Sequence, residues 1–302
     1  MKSPIVILGA SGIIGRGAVQ AALEAEWPVI AVDADAAGLE RLRAIEGAAG
    51  LTLLIGSVNS DAESAALAEA VRKLDRPVAG VIDAIPGGSA RGRLLDQPTE
   101  TLCRQIESGL LPHLAAARQL IPLMAEARRG GTYILIGGPG SALPWSGYGH
   151  QSVTAAGLRM LAQVLHRESC AFDVRVQLLS VDLPVCTRKR ASDCPQWPTA
   201  RSIGERALAL IERSVEEAGP IVVHGDTASS AMCDSHQSTL SVAAEQLVAK
   251  TLKRLRSDAD GAKHDPDIGV SSQSQSCLQR DDRPQTSPTE LPFPFRNEVA
   301  PR

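Results

Sequence analysis

The sequence predicts an α/β fold: a doubly wound parallel sheet with helices on both faces, followed by a mostly disordered C-terminal tail. Three observations carry this expectation. Short apolar runs without polar alternation recur up to Val223, as strands buried on both faces require. Stretches with helical apolar spacing separate them, the alternation of a parallel sheet with crossover helices. Aromatic residues are only 3% of the chain, and Phe293 and Phe295, two of its three Phe, lie near its end, so the core must be aliphatic.

Residues 4–8 read as the first buried strand. A glycine turn follows, and Ala18, Ala21, Ala22 and Ala25 give 17–26 helical spacing. Further strands are expected at 29–32, 51–55, 78–84, 132–136, 174–179 and 221–223. Between them, helices are expected at 37–45, 62–74, 99–129, 147–169 and 203–217, with Pro112 and Pro122 notching the fourth. These elements complete one doubly wound domain over residues 1–226. Beyond it, 227–302 turns rich in Ser, Gln, Asp and Pro; one amphipathic helix is expected at 241–255 and disorder elsewhere.

The composition excludes several classes. With 302 residues, 44% apolar, 22% charged and a net charge of −3, the chain can bury a core and is not disordered throughout. The absence of a long basic run and the scarcity of aromatics argue against nucleic acid as a partner. The six Cys form no C-x-x-C pair, so no metal site or disulfide framework is expected and the thiols read as reduced, in the cytoplasm. No 18-residue apolar span occurs, so no membrane helix is expected.

The strongest local signal is Gly9-Ala10-Ser11-Gly12-Ile13-Ile14-Gly15, between the first strand and the first helix. Glycine permits the tight turn, the approach of backbone N–H groups to a pyrophosphate and the packing of helix on sheet. The helix N-terminus then meets the phosphates with unpaired N–H groups and the positive end of its dipole. Asp33, ending the second strand, can accept both hydroxyls of an adenosine ribose and would repel a 2′-phosphate. The pattern therefore predicts NAD(H), while Arg16 leaves NADP(H) use open.

On these residues the chain resembles the short-chain dehydrogenases/reductases over about residues 3–226, as an atypical, divergent member. Its G-x-x-G-x-x-G matches the extended and atypical branches. Ser57-Val58 stands at that family's Asp-Val, Asp83-Ala84-Ile85-Pro86-Gly87 at its Asn-Asn-Ala-Gly, and Leu183-Pro184-Val185-Cys186-Thr187 resembles the turn and Thr that meet the nicotinamide amide. The resemblance thus implies Gly9, Ser11, Gly12, Ile14, Gly15, Asp33, Val58, Ala84 and Thr187 as cofactor contacts.

It also implies a proton-exchanging Tyr148, but Ser152 stands where the family has Lys, Ser108 where it has Asn, and Gly138 where it has Ser unless Ser141 has moved in. Tyr148, Ser141 and Ser152 are the implied catalytic residues, with His113 as a possible replacement base; His150, two residues from Tyr148, points elsewhere on a helix. The implied activity is NAD(P)-dependent hydride transfer to or from a small carbonyl or alcohol substrate, in a homodimer or homotetramer built on the two long helices. The alternative is a catalytically degenerate NAD-binding sensor, scaffold or subunit. The basic run Arg188-Lys189-Arg190 and Trp197 are expected over the substrate pocket.

Overall fold

The computed structural model describes residues 2–45, 48–88, 90–127, 130–145, 147–186, 197–212 and 219–225. Thr187, the run 188–190 and the tail with its expected helix at 241–255 lie outside them.

Seven parallel strands form one sheet: β1 (Ile5–Leu8), β2 (Val29–Asp33), β3 (Leu51–Ile55), β4 (Gly80–Asp83), β5 (Gly131–Gly137), β6 (Val174–Ser180) and β7 (Ile221–Val223). Their order is β3-β2-β1-β4-β5-β6-β7. The chain winds outward from β1 through β2 to β3, then returns to place β4 on the other side of β1. That reversal opens a crevice outside the carboxyl ends of β1 and β4, where α/β sheets bind ligands.

Alternate strand residues feed two cores. Ile5 and Ile7 pack against α1 (Ile13–Glu24), α2 (Ala36–Glu40) and α7 (Ala200–Ile211). Val6 and Leu8 pack against α3 (Asp61–Arg72), α5 (Leu111–Glu126) and α6 (Gly149–Glu168). Both layers are aliphatic, as the scarcity of aromatics requires; Tyr133 is an aromatic exception, fully buried within β5.

Two elements differ from the sequence pattern. The helical stretch at 99–129 is two helices, α4 (Thr99–Gly109) and α5, broken at Leu110, whose φ of −129° leaves the helical region. Pro112 lacks the N–H that would carry the hydrogen-bond ladder across the break, and is tolerated in the first turn of a new helix. The stretch at 37–45 is the short α2 followed by a 3₁₀ turn, Arg41–Ala44. Among the described residues no helix is long and apolar enough to cross a membrane.

Candidate active site

The glycine turn after β1 is dictated by backbone approach. Gly9 sits at φ +66°, and a Cβ there would lie 2.5 Å from the Ala84 carbonyl oxygen at the end of β4. A Cβ on Gly15 would lie 2.0 Å from the Gly9 oxygen. The Gly12 N–H donates to that same oxygen at 3.0 Å, closing the turn. α1 starts from Gly12 with no side-chain cap and no acid in its first turn, so its first N–H groups are left for an anion. α3 shows the contrast: Ser60 caps it, accepting the Glu63 N–H at 3.2 Å.

Asp33 stands beside this turn. Its Oδ2 accepts the Ser11 N–H at 3.0 Å and its Oδ1 the Asp35 N–H at 3.0 Å. Each oxygen keeps a second lone pair for an incoming hydroxyl. A crevice of about 240 Å³ runs past Gly9, Gly12, Asp33, Val58, Ile85 and Ser108. Of the expected cofactor residues, Gly9, Ser11, Gly12, Asp33 and Val58 line it. Ile14, Gly15 and Ala84 are not among its lining: Ile14 packs against the core, and Gly15 and Ala84 shape the turn. Ser57 is tied to the start of α3, its hydroxyl donating to Glu63 Oε2 at 2.6 Å. The uncapped helix, the glycine cradle that a Cβ would fill and the acid at β2 fit a dinucleotide.

A second cavity of about 110 Å³ shares Ile85 with the crevice and lies between the β4 and β5 ends, α4, α5 and α6. Gln105, His113, Gly138, Gln151 and Thr154 line it. A Cβ on Gly138 would meet nothing within 4 Å, so the strand end there faces open space.

Behind this cavity is a buried polar cluster. Asp83, the last residue of β4, is fully buried. The Tyr133 hydroxyl donates to its Oδ2 at 3.0 Å, and His113 Nδ1 lies 2.9 Å from the same oxygen. The ring nitrogen and the carboxylate oxygen approach closely without an aligned hydrogen bond between them. Burial, then the charge and hydrogen bond of Asp83, hold the Tyr133 phenol well above its ordinary pKa and keep it a donor.

The three expected catalytic residues occupy the segment joining β5 to α6, and none lines the second cavity. Tyr148 is half-buried; its ring stacks on Trp145 at 4.8 Å, and the Arg91 guanidinium lies 5.7 Å from its centroid. The Gly92 N–H donates to the Gly147 oxygen at 2.8 Å, clasping the two loops together. Ser152 Oγ accepts the Trp145 N–H at 2.9 Å, so this hydroxyl fastens the turn. Ser141 is buried with its Oγ 3.5 Å from Ser180 Oγ, which donates to Asp182 at 2.8 Å. His150 is buried and lines neither cavity. Sequence reasoning missed Asp83 as the partner shared by His113 and Tyr133, Gln105 and Gln151 on the cavity wall, and Arg91 as a cation near Tyr148. An ionisable residue ending an apolar strand was the available signal for Asp83.

The sheet order, the glycine turn at its reversal and the acid ending β2 define a doubly wound α/β protein of the dinucleotide-binding type. A family model described as enoyl-(acyl carrier protein) reductase matches residues 9–223. The chain belongs to the short-chain dehydrogenase/reductase family. No curated protein matches it. Solved structures similar to it include a short-chain type dehydrogenase/reductase from Mycobacterium ulcerans, at 19% identity over 74% of this chain and 88% of that one, with a TM-score of 0.64. An oxidoreductase of the same family from Burkholderia thailandensis is 21% identical over 79% of this chain and 98% of its own, with a TM-score of 0.63. A short-chain oxidoreductase from Pseudomonas aeruginosa PAO1, NADPH-bound and containing an atypical catalytic center, is 17% identical over 76% and 98%, with a TM-score of 0.65. These likenesses show the shared fold.

Proposed function

We propose that this chain is an NAD(H)-dependent oxidoreductase interconverting a small carbonyl compound and its alcohol. One observation carries the reading: the glycine and Asp33 crevice adjoins, at Ile85, a second cavity at the β4 and β5 ends that carries Gln105, His113, Gln151 and Thr154. In this reading Gly9, Gly12 and the start of α1 hold the pyrophosphate and Asp33 the adenosine ribose. The bound nicotinamide supplies or accepts the hydride. The substrate oxygen lies in the second cavity and the rest of the molecule reaches the β5–α6 segment, where Tyr148 contributes a hydroxyl contact and Ser141 and Ser152 hold the segment's shape. The test is a fluorescence titration with NADH and NADPH, followed by turnover of a panel of ketones, aldehydes and alcohols.

The Pseudomonas neighbour is NADPH-bound. Here Asp33 lines the crevice with a carboxylate, and Asp35 follows it. A 2′-phosphate would add negative charge beside both, so NADH should bind at least tenfold better, about 1.4 kcal/mol. Asp33→Ala should narrow that gap; an unchanged NADH-to-NADPH ratio would remove Asp33 from the ribose site.

A second reading has its own support. The family's Lys position is Ser152, and its hydroxyl is committed to the Trp145 N–H. A chain that binds dinucleotide without turnover would fit that arrangement. Tight NADH binding with no turnover across the panel would establish it.

Val153, Met160 and Val164 lie exposed on one face of α6, Met160 most of all at 59%. We propose that they pair two copies across a two-fold axis. Light scattering at micromolar concentration should give a dimer or tetramer, and Met160→Glu should shift it toward monomer.

A further inference from the structure

We propose that His113 exchanges the proton of the substrate oxygen through its Nε2, with Asp83 and Tyr133 fixing the ring from behind. The inference rests on the oxidoreductase reading and names the acid–base group within it.

Four observations converge. First, among the described residues His113 is the one titratable side chain lining the second cavity; Gln105, Gln151 and Thr154 are neutral. Proton exchange inside this cavity therefore has a single candidate. Second, the ring is oriented. Nδ1 faces Asp83 Oδ2 at 2.9 Å, so Nε2 is the ring nitrogen left for the cavity that the ring lines. A carboxylate behind Nδ1 selects the tautomer with Nε2 free to accept, the arrangement of Asp–His pairs that move protons.

Third, the carboxylate is itself held. Tyr133 donates to Asp83 Oδ2 at 3.0 Å and the Ile85 N–H approaches Oδ1 at 3.4 Å. The groups facing the ring are thus Asp83 from β4 and Tyr133, through that carboxylate, from β5. Fourth, the expense is unexplained by packing. An acid, a phenol and an imidazole are buried together within a layer whose other hydrophobic residues are aliphatic, where apolar residues of similar volume are often as stable or more so. The open space before Gly138, on the wall of the same cavity, gives a substrate oxygen somewhere to stand.

Reduction of a carbonyl needs a hydride, which the nicotinamide cofactor supplies as it is oxidised, and one proton. His113 gives that proton from Nε2–H to the carbonyl oxygen as the C=O becomes C–OH, and solvent reprotonates the imidazole. In the oxidative direction neutral Nε2 takes the hydroxyl proton and releases it to solvent. The Nδ1 contact would align by a small ring rotation when substrate enters, as acid–base contacts commonly tighten on binding.

The test compares His113→Gln, Asp83→Asn and Tyr148→Phe with wild type on whichever carbonyl the wild type reduces. His113→Gln should lower kcat by about 10²–10⁴-fold with the NADH dissociation constant within about threefold of wild type. The limb of the kcat/KM pH profile due to His113 should vanish with it. Asp83→Asn, which keeps the volume, should lower kcat at least tenfold and alter that limb. Tyr148→Phe, which removes a substrate contact and not the proton donor, should raise KM and preserve the profile's shape. Independently of turnover, ¹⁵N-histidine NMR of the cofactor-free protein should place the neutral-ring proton on Nδ1. Full turnover in His113→Gln, or a neutral ring protonated on Nε2, overturns the proposal while the oxidoreductase reading stands. No turnover by wild type overturns that reading and this one together.

Discussion

Gly9→Val is expected to abolish measurable NADH binding, a loss of at least 100-fold, and to lower the melting temperature. The valine would stand at φ +66°, where a β-branched side chain is strained by about 1–3 kcal/mol. Its Cβ would also press on the Ala84 carbonyl at 2.5 Å, a backbone atom fixed in the centre of the sheet. Relief requires separating the β1 turn from the end of β4, which are the two walls of the crevice. Strain and overpacking together should cost about 3 kcal/mol, or roughly 6–12 °C for a domain of this size. Gly15→Ala should reproduce the loss of binding, because its Cβ would lie 2.0 Å from the Gly9 oxygen. Thermal melts and NADH fluorescence titrations read both effects. Wild-type affinity in either variant would show that the turn is not a dinucleotide cradle.

Asp83→Ala should be the most damaging single change in the polar cluster, at about 3–5 kcal/mol. It removes the acceptor from the Tyr133 hydroxyl and the carboxylate beside His113 Nδ1, and leaves both groups inside an aliphatic layer. Tyr133→Phe alone should cost about 1–2 kcal/mol, because it deletes a donor while Asp83 keeps its other contacts. In a double-mutant cycle Tyr133→Phe should cost much less once Asp83 is already Ala. Urea unfolding measures each of these.

The same cluster gives the fold an alkaline limit. The phenol of an unfolded chain ionises near pH ~10. Folded Tyr133 keeps its proton well above that, because burial and the neighbouring Asp83 charge oppose the phenolate. Above pH ~10 the folded state therefore binds more protons than the unfolded state, and stability falls as pH rises. The contribution from Tyr133 is a slope of up to about 1.4 kcal/mol per pH unit. Unfolding curves at pH 9, 10 and 11 should show that slope in wild type and a shallower one in Tyr133→Phe. Equal slopes would mean that the Tyr133 hydroxyl is not buried against Asp83.

What the sequence determined by itself is everything encoded within a few neighbouring residues. Runs such as Ile5–Leu8 are apolar on both faces, which a buried parallel strand requires and an exposed one does not. The glycine spacing placed the turn, and Asp33 was legible because it ends the strand that lies beside β1. The expected strands recur in the sheet with ends shifted by a few residues. The break at Leu110 was visible only as Pro112, since a proline in the first turn of a helix and one inside it read alike along the chain.

Contacts between distant segments were decided by tertiary structure alone. Asp83 pairs in register with Leu135, so Tyr133, two residues earlier on β5, projects from the same face of the sheet. α5 packs on that face and brings His113 to the Asp83 oxygen that Tyr133 also meets. No local pattern relates these three residues, because their meeting depends on β4 and β5 lying side by side and on the restart of the helix after Leu110. The same is true of Arg91 over Tyr148 and of Ser152 beneath Trp145. The helix spacing set Ser152 four residues after Tyr148, as the family pattern has its Lys. The fold gave its hydroxyl a backbone N–H to accept, because the chain before α6 brings the Trp145 N–H within 2.9 Å of it.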